Sequence, residues 1–193
     1  MVTISASRVR AAAASVMQRT TKSEATILAE AKATSADRFD VFLSHSRMDR
    51  KLVLGAKQLI EDAGLTVYVD WIADGEIDRA AVDKDRAALL RTRMAQCDAL
   101  FYAHTPNASL SRWCPWELGY FDALKTPDEQ VYVMAIVENG ETFTGQEYLG
   151  LYQTVDPATY KPSPKQVTRR PDPLDSVAAR LLRDRWGIRG PML

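Results

Sequence analysis

Short apolar runs rich in β-branched and aromatic residues alternate along the chain with helical patterns, and this alternation constrains the fold most strongly. The runs predict strands at 39–44, 66–70, 99–103 and 131–137. A stripe of apolar residues at helical spacing follows each of the first three runs: Leu52, Ala56, Leu59, Ile60 and Ala63, then Ala87, Leu90 and Met94, then Leu118, Phe121 and Leu124. Strands that alternate with helices predict an α/β fold, flavodoxin-like, with a mostly parallel central sheet and helices on both faces.

The two ends of the chain differ from this central region. Residues 1–38 are rich in alanine and predict an N-terminal helical extension, which suits either an oligomerising helix or the composition of an organelle transit peptide. Residues 39–156 are the predicted central domain. Five prolines between 157 and 173 predict an extended linker, and 174–186 a last helix, so that 157–193 form a separate C-terminal region.

The charges are unevenly distributed although the net charge is zero. The two end regions together carry a net charge of +8, and the central region carries −8. The basic ends either solubilise the protein or dock on an acidic face of the same or a neighbouring subunit. Nucleic acid is not an expected partner, because no basic stretch is interleaved with aromatic residues or carries a recognition motif.

The chain lacks the signals of membrane, secreted and metal-binding proteins. No apolar run reaches the roughly 18 residues of a membrane-spanning helix, and there is no secretory signal pattern. The two cysteines, Cys97 and Cys114, are in neither a CxxC nor a zinc-ligand spacing. We therefore expect a soluble cytoplasmic protein with two reduced thiols, no metal and no bound cofactor.

Polar and aromatic residues follow the predicted strands at their carboxyl ends, where open α/β sheets bind ligands. They are Ser44, His45, Ser46 and Arg47 after the first strand, Asp70 and Trp71 after the second, and His104, Thr105, Trp113 and Glu117 after the third. No GxGxxG or P-loop motif is present. A phosphate at a helix start and a ring stacked on Trp71 or Trp113 would suit a dinucleotide.

Glu117 is the candidate catalytic residue. Pro115 belongs in the first turn of a helix, which places Glu117 near the helix N-terminus. The helix dipole there favours an ionised carboxylate, which suits stabilisation of a cation better than proton donation. The alternative is a structural one, since glutamate is common at this position of a capped helix.

Several of these segments resemble Toll/interleukin-1 receptor (TIR) domains. The segments are FDVFLSHS at 39–46, VYVDW at 67–71, WCPWEL at 113–118 and WELGYFD at 116–122. They occur in the order and approximate spacing of the family, over roughly residues 39–153. The segments at 67–71 and 116–122, with the Asp74-Gly75 turn, further resemble the free-standing TIR proteins of bacteria, including those of Thoeris-type anti-phage defence.

The resemblance implies an enzyme that cleaves NAD⁺, used as substrate, between nicotinamide and ribose. Glu117 matches the family's catalytic glutamate. The substrate-binding residues implied are Ser44, His45, Ser46, Arg47, Trp71 and Trp113. The product would be ADP-ribose or a cyclic ADP-ribose isomer, to which a downstream effector responds.

The resemblance also implies self-association through TIR–TIR contacts, in which the loop 71–79 meets a neighbouring protomer. Asp74-Gly75-Glu76 lacks the proline-glycine apex of receptor TIR domains, so receptor-style adaptor contacts are not expected. Two other functions stay open on the residues. One is a non-catalytic TIR scaffold that acts by oligomerising, and the other is a different N-glycosidase, similar to nucleoside deoxyribosyltransferases.

Overall fold

The computed structural model describes residues 1–19, 38–69, 84–126, 129–138 and 141–162, and their regular structure consists of six strands, four α-helices and four short 3₁₀ helices. The strands are β1 (Ile4–Ser5), β2 (Phe39–Ser44), β3 (Val67–Val69), β4 (Cys97–His104), β5 (Val131–Val137) and β6 (Gln153–Thr154). The helices are α1 (Ala6–Gln18), α2 (Arg50–Asp62), α3 (Lys84–Ala95) and α4 (Cys114–Lys125).

The strands form one sheet in the order β1-β5-β4-β2-β3, and the short β6 lies beside β5. All of these strand pairs are parallel. The register places Ser44 of β2 opposite Tyr102 of β4, and His104 of β4 opposite Ala135 of β5. The sheet is therefore of the α/β type that the alternating sequence pattern predicts.

Alternate residues of β2, β3, β4 and β5 enter two separate cores. Val41 and Leu43 of β2 pack with α1 and α2 on one face of the sheet, whereas Phe42 packs with α3 and α4 on the other. In β4, Phe101 faces the first core and Tyr102 the second. Both faces of the sheet are thus covered, which explains why the strands read as continuous apolar runs.

The predicted strands agree closely with the observed ones. β2 and β5 have the predicted bounds, and β4 is longer than predicted because Cys97, Asp98 and His104 also join it. The strand predicted at 66–70 is β3, and its last predicted residue, Asp70, lies outside the described residues. β1 and β6 escaped prediction, because two residues are too few to show an alternating pattern.

Residues 4–18 pack into the domain core. β1 pairs with β5, and Ile4 and Val9 are fully buried. Ion pairs join Arg8 to Asp156 and Arg10 to Glu138. The helix predicted in this region therefore gains its stability from tertiary packing.

The contact between α1 and α2 depends on Gly55. A methyl group added at Gly55 would lie 1.9 Å from the carbonyl oxygen of Val9, which is shorter than any van der Waals contact. The obstacle is backbone, so a side-chain rotation cannot relieve it. Only glycine allows the two helices to approach this closely.

Met1–Tyr160 form one compact unit. The predicted boundaries at residues 38 and 156 stay predictions, and the predicted helix at 174–186 lies outside the described residues. Among the residues that the structure covers, no helix has the length and apolar character to span a membrane.

We expect Gly55→Ala to destabilise the protein by about 2–3 kcal/mol, because the added methyl group forces α1 away from α2. Gly119→Ala is the matched control, since Gly119 is also helical and a methyl group there meets nothing within 4 Å. It should be neutral or stabilise by up to about 1 kcal/mol. Urea unfolding measures both free energies, and equal midpoints for the two variants would contradict the close contact.

Candidate active site

The site lies between β2 and β4, where the direction of the strand order changes. β3, the next strand along the chain, lies on one side of β2, and β4 lies on the other side. The segments that follow β2 and β4 therefore lead to helices on opposite faces of the sheet, α2 on one face and α4 on the other. Ligands of open α/β sheets bind at such a position.

Glu117 lies in the first turn of α4, as its distance from Pro115 predicts. The helix begins at Cys114, and the Glu117 amide donates to the Trp113 carbonyl at 2.8 Å. Upstream, the Ser111 hydroxyl accepts from the amides of Trp113 and Cys114, both at 3.3 Å. These bonds fix the helix start, and the positive end of its dipole favours a negative charge on Glu117.

Ser44 donates a hydrogen bond to Glu117. The distance from Ser44 Oγ to Glu117 Oε2 is 2.6 Å, which is typical of a hydroxyl that donates to an ionised carboxylate. Ser44 is 1% exposed and Glu117 is 4% exposed. Because burial of an uncompensated carboxylate is costly, this donor and the helix dipole together explain how the charge is tolerated there.

Two further ionisable groups near Glu117 keep their protons at neutral pH. The pKa of the Cys114 thiol is raised to about 12, first by burial and then by the neighbouring Glu117 carboxylate. Burial also raises the pKa of the Tyr102 hydroxyl. Cys114 is therefore a poor candidate for a nucleophile, since the thiolate is the reactive form.

The loop after β2 contains three more of the predicted binding residues, and they differ in exposure. His45 is buried, and its Nδ1 donates to the Leu43 carbonyl at 2.9 Å. Ser46 is buried as well, and its hydroxyl accepts from the Met48 amide at the start of a 3₁₀ turn, Arg47–Asp49. Arg47 is exposed. Both are local hydrogen bonds between a side chain and the backbone, and such bonds stabilise the conformation of a loop.

The sequence family is decided by residues 41–166, which match the family described as "TIR domain". They make up more than half of the chain. This chain belongs to the TIR domain family. The match includes the last four residues of β2, among them Ser44, and the whole of α4 with Glu117.

Two curated bacterial relatives resemble this TIR protein. One, from Bacillus cereus (strain MSX-D12), is named "Probable 3' cyclic ADP-D-ribose synthase ThsB'" and is 46% identical over 123 residues, which cover 63% of this chain and 62% of the relative. The other, from Cytobacillus dafuensis, is named "Putative cyclic ADP-D-ribose synthase TIR2" and is 28% identical over 83 residues, covering 42% of this chain and 22% of the relative. The chain thus spans about three-fifths of the first relative and about a fifth of the second.

Of the two tryptophans predicted to bind substrate, Trp113 lies within the described residues and Trp71 does not. Trp113 is half-buried immediately before α4, and its ring lies edge-on to Trp116, with 5.3 Å between ring centroids. It therefore flanks the turn that holds Glu117. Trp71 and the loop 71–79 lie outside the described residues. The substrate-binding roles of Ser44, His45, Ser46, Arg47, Trp71 and Trp113 stay predictions.

Sequence reasoning missed Asp49, whose carboxylate joins the loop after β2 to the loop after β4. Thr105 and Asn107, both in the loop after β4, donate to the carboxylate of Asp49 in the loop after β2. The Asn107 bond is 2.7 Å. An acidic residue before a helix is ordinary, so the sequence around Asp49 carries no signal for this contact.

The raised pKa values of the two cysteines predict a loss of stability in mild alkali. Burial is the main reason that the pKa of Cys97 is raised as well. In the unfolded chain a thiol titrates near pH 8.5, so the unfolded state loses its thiol protons first and stability falls above that pH. The free energy of unfolding should then fall by up to roughly 1.4 kcal/mol per pH unit for each thiol.

Urea titrations between pH 8 and pH 10 measure this slope, before most tyrosines ionise. Cys114→Ala should give a shallower slope than the wild type, and the Cys97→Ala/Cys114→Ala double variant should give the shallowest. An unchanged slope in the double variant would show that the thiols are not the cause.

Proposed function

We propose that this TIR protein cleaves NAD⁺ between nicotinamide and ribose and releases nicotinamide together with ADP-ribose or a cyclic ADP-ribose isomer. The observation that carries the proposal is the buried Glu117 carboxylate at the carboxyl end of the sheet, hydrogen-bonded to Ser44 at the start of α4. Both curated relatives have printed names that contain "cyclic ADP-D-ribose synthase", and these names support the same reaction.

One carboxylate suffices for this reaction. Ordinary glycoside hydrolysis uses two carboxyl groups, because the leaving oxygen must be protonated. Nicotinamide leaves NAD⁺ as a neutral base, since the electron pair of the broken C–N bond neutralises the pyridinium nitrogen. No general acid is then needed. This agrees with the two groups beside Glu117, the Cys114 thiol and the Tyr102 hydroxyl, because their raised pKa values keep them out of proton transfer at neutral pH.

Glu117 acts by electrostatics in this mechanism. As the C–N bond breaks, the ribose becomes an oxocarbenium-like cation, and an ionised carboxylate held in place beside it lowers the energy of that state. Glu117 also accepts hydrogen bonds from the ribose hydroxyls. Ser44 keeps the carboxylate charged and oriented, so that little reorganisation is needed during the reaction.

The product depends on which oxygen or nitrogen captures the cation. Water gives ADP-ribose and a proton. Capture by a hydroxyl of the second ribose, or by an adenine nitrogen, gives a cyclic isomer, and the capturing group releases one proton. The name of the Bacillus cereus relative specifies a 3′ cyclic product, which favours capture by a ribose hydroxyl in this protein too.

The cellular role we propose is bacterial anti-phage immune signalling in the cytoplasm. Self-association through TIR–TIR contacts would complete the site, and a downstream effector would respond to the nucleotide product. The relatives support this proposal through their printed names, which give cyclic ADP-D-ribose as the product.

Replacement of the catalytic carboxylate tests the reaction. Glu117→Gln keeps the size of the side chain and removes its charge, so we expect nicotinamide release from NAD⁺ to fall roughly a thousandfold. Chromatography of nicotinamide, ADP-ribose and cyclic products measures the loss and identifies the product.

Glu61→Gln is the matched control, because Glu61 lies on α2 and its exposed carboxylate pairs with Lys57 of the same helix. It should release nicotinamide at the wild-type rate. If concentrated wild-type protein releases none, or if Glu117→Gln remains as active as Glu61→Gln, the proposed function is wrong.

Ser44→Ala removes the donor to Glu117, so the carboxylate becomes protonated more readily at low pH. The activity on NAD⁺ should therefore decline at a higher pH on the acid side than in the wild type. Ser15→Ala is the control, since the Ser15 hydroxyl donates to the Ala12 carbonyl within α1. Superposable pH–rate profiles for Ser44→Ala and the wild type would contradict the role given to Ser44.

A further inference from the structure

A cleft of about 440 Å³ lies at the carboxyl ends of β4 and β5. His104 lines it from the end of β4, and Phe143 and Gln146 line it from the segment after β5. Neither Glu117 nor Ser44 is among its lining residues. The cleft is therefore distinct from the place where the glycosidic bond is cleaved.

Two buried polar atoms of this cleft have no hydrogen-bond partner among the described residues. They are Nδ1 of His104 and Oε1 of Gln146. His104 is only 8% exposed. Because buried polar atoms in native proteins almost always have partners, these two point to a ligand that supplies them.

The chemistry of the two atoms limits the ligand. Burial lowers the pKa of His104, so the ring is neutral at physiological pH and Nδ1 can carry a proton. Gln146 Oε1 can only accept. The Phe143 ring lies edge-on to His104, with 4.7 Å between centroids, and walls the cleft with a flat apolar surface. The cleft therefore suits a planar ring with an N–H donor next to a ring acceptor.

The charge of the cleft excludes a phosphate. Its lining includes Glu141, and none of the described residues that line it is a lysine or an arginine. A diphosphate would meet like charge and no cation there. The part of a nucleotide that fits is its base.

The cleft is within reach of the same substrate molecule as Glu117. Ser44 pairs with Tyr102, and His104 follows Tyr102 by two residues, so all three side chains lie on the same face of the sheet. Strand spacing and rise put the Cα atoms of Ser44 and His104 about 8 Å apart. A dinucleotide whose reacting ribose lies at Glu117 is long enough to place its other end in the cleft.

We propose that the His104 cleft binds the adenine of NAD⁺, with the 6-amino group donating to Gln146 Oε1 and a ring nitrogen accepting from His104 Nδ1–H. The inference rests on the proposed function. The carboxamide of nicotinamide offers a similar donor and acceptor, but nicotinamide must lie beside the bond that Glu117 acts on. Adenine is the base left for the more distant cleft.

Calorimetric binding of adenosine 5′-monophosphate to the full chain tests the cleft without any turnover. Gln146→Met and His104→Phe each remove one hydrogen bond and should weaken binding roughly tenfold, the factor that about 1.4 kcal/mol represents. Gln146→Glu keeps an acceptor oxygen, and His104→Asn keeps a donor near the Nδ1 position, so both should bind within about threefold of the wild type. Gln58→Met is the control on α2 and should bind like the wild type.

Inosine 5′-monophosphate presents an acceptor where adenosine has its amino group, so it should bind at least roughly tenfold more weakly. Absence of binding by adenosine 5′-monophosphate at millimolar concentration, or equal binding by Gln146→Met and Gln58→Met, would overturn the proposal. The proposal would also be overturned if the cleft variants bound nicotinamide more weakly than the wild type does but bound adenosine 5′-monophosphate equally well.

Kinetics supplies a second readout. In Gln146→Met the KM for NAD⁺ should rise roughly tenfold with little change in kcat, because adenine is remote from the reacting bond. Cleavage of nicotinamide mononucleotide, which lacks adenine, should be unchanged. If the wild type releases no nicotinamide, the proposed function fails, while the binding experiment still decides whether the cleft takes adenine.

Discussion

The hydrogen bond from Ser44 to Glu117 is the constraint on which the site depends. It joins residues 73 positions apart, and it gives a buried carboxylate the donor that its burial requires. A slip of one residue in the register of β2 would turn Ser44 to the face of α1 and α2 and leave Glu117 without it. The strict alternation of Val41, Phe42 and Leu43 therefore serves the site as well as the two cores.

The sequence was most informative where a pattern repeats over many residues. β2 and β5 extend over five or more alternating or apolar positions, and their bounds were predicted without error. Pro115 located the start of α4 because a proline within a helix is compatible with the first turn and disrupts later ones. Since parallel strands share one carboxyl edge, the predicted order of elements was enough to bring Ser44 and Glu117 into one region.

The remaining features depend on contacts that no local pattern records. The direct bond between Ser44 and Glu117, and the bridge from Asp49 to Asn107, follow from loop geometry between distant segments. β1 has two residues, and its strand character comes entirely from pairing with β5. That Nδ1 of His104 has no hydrogen-bond partner among the described residues is likewise a property of the folded neighbourhood, since a histidine at the end of a strand is equally compatible with a satisfied structural role.

The close contact of Gly55 with Val9 bears on how such proteins are cut into fragments. The family match begins at residue 41, after α1, whereas the compact unit begins at Met1. A fragment limited to 41–166 would lose both helix α1 and strand β1, leaving an apolar seam along α2 and an open sheet edge at Ile136 and Val137. Open edges invite pairing with other chains, so the limits of sequence similarity and the limits of autonomous folding differ in this protein.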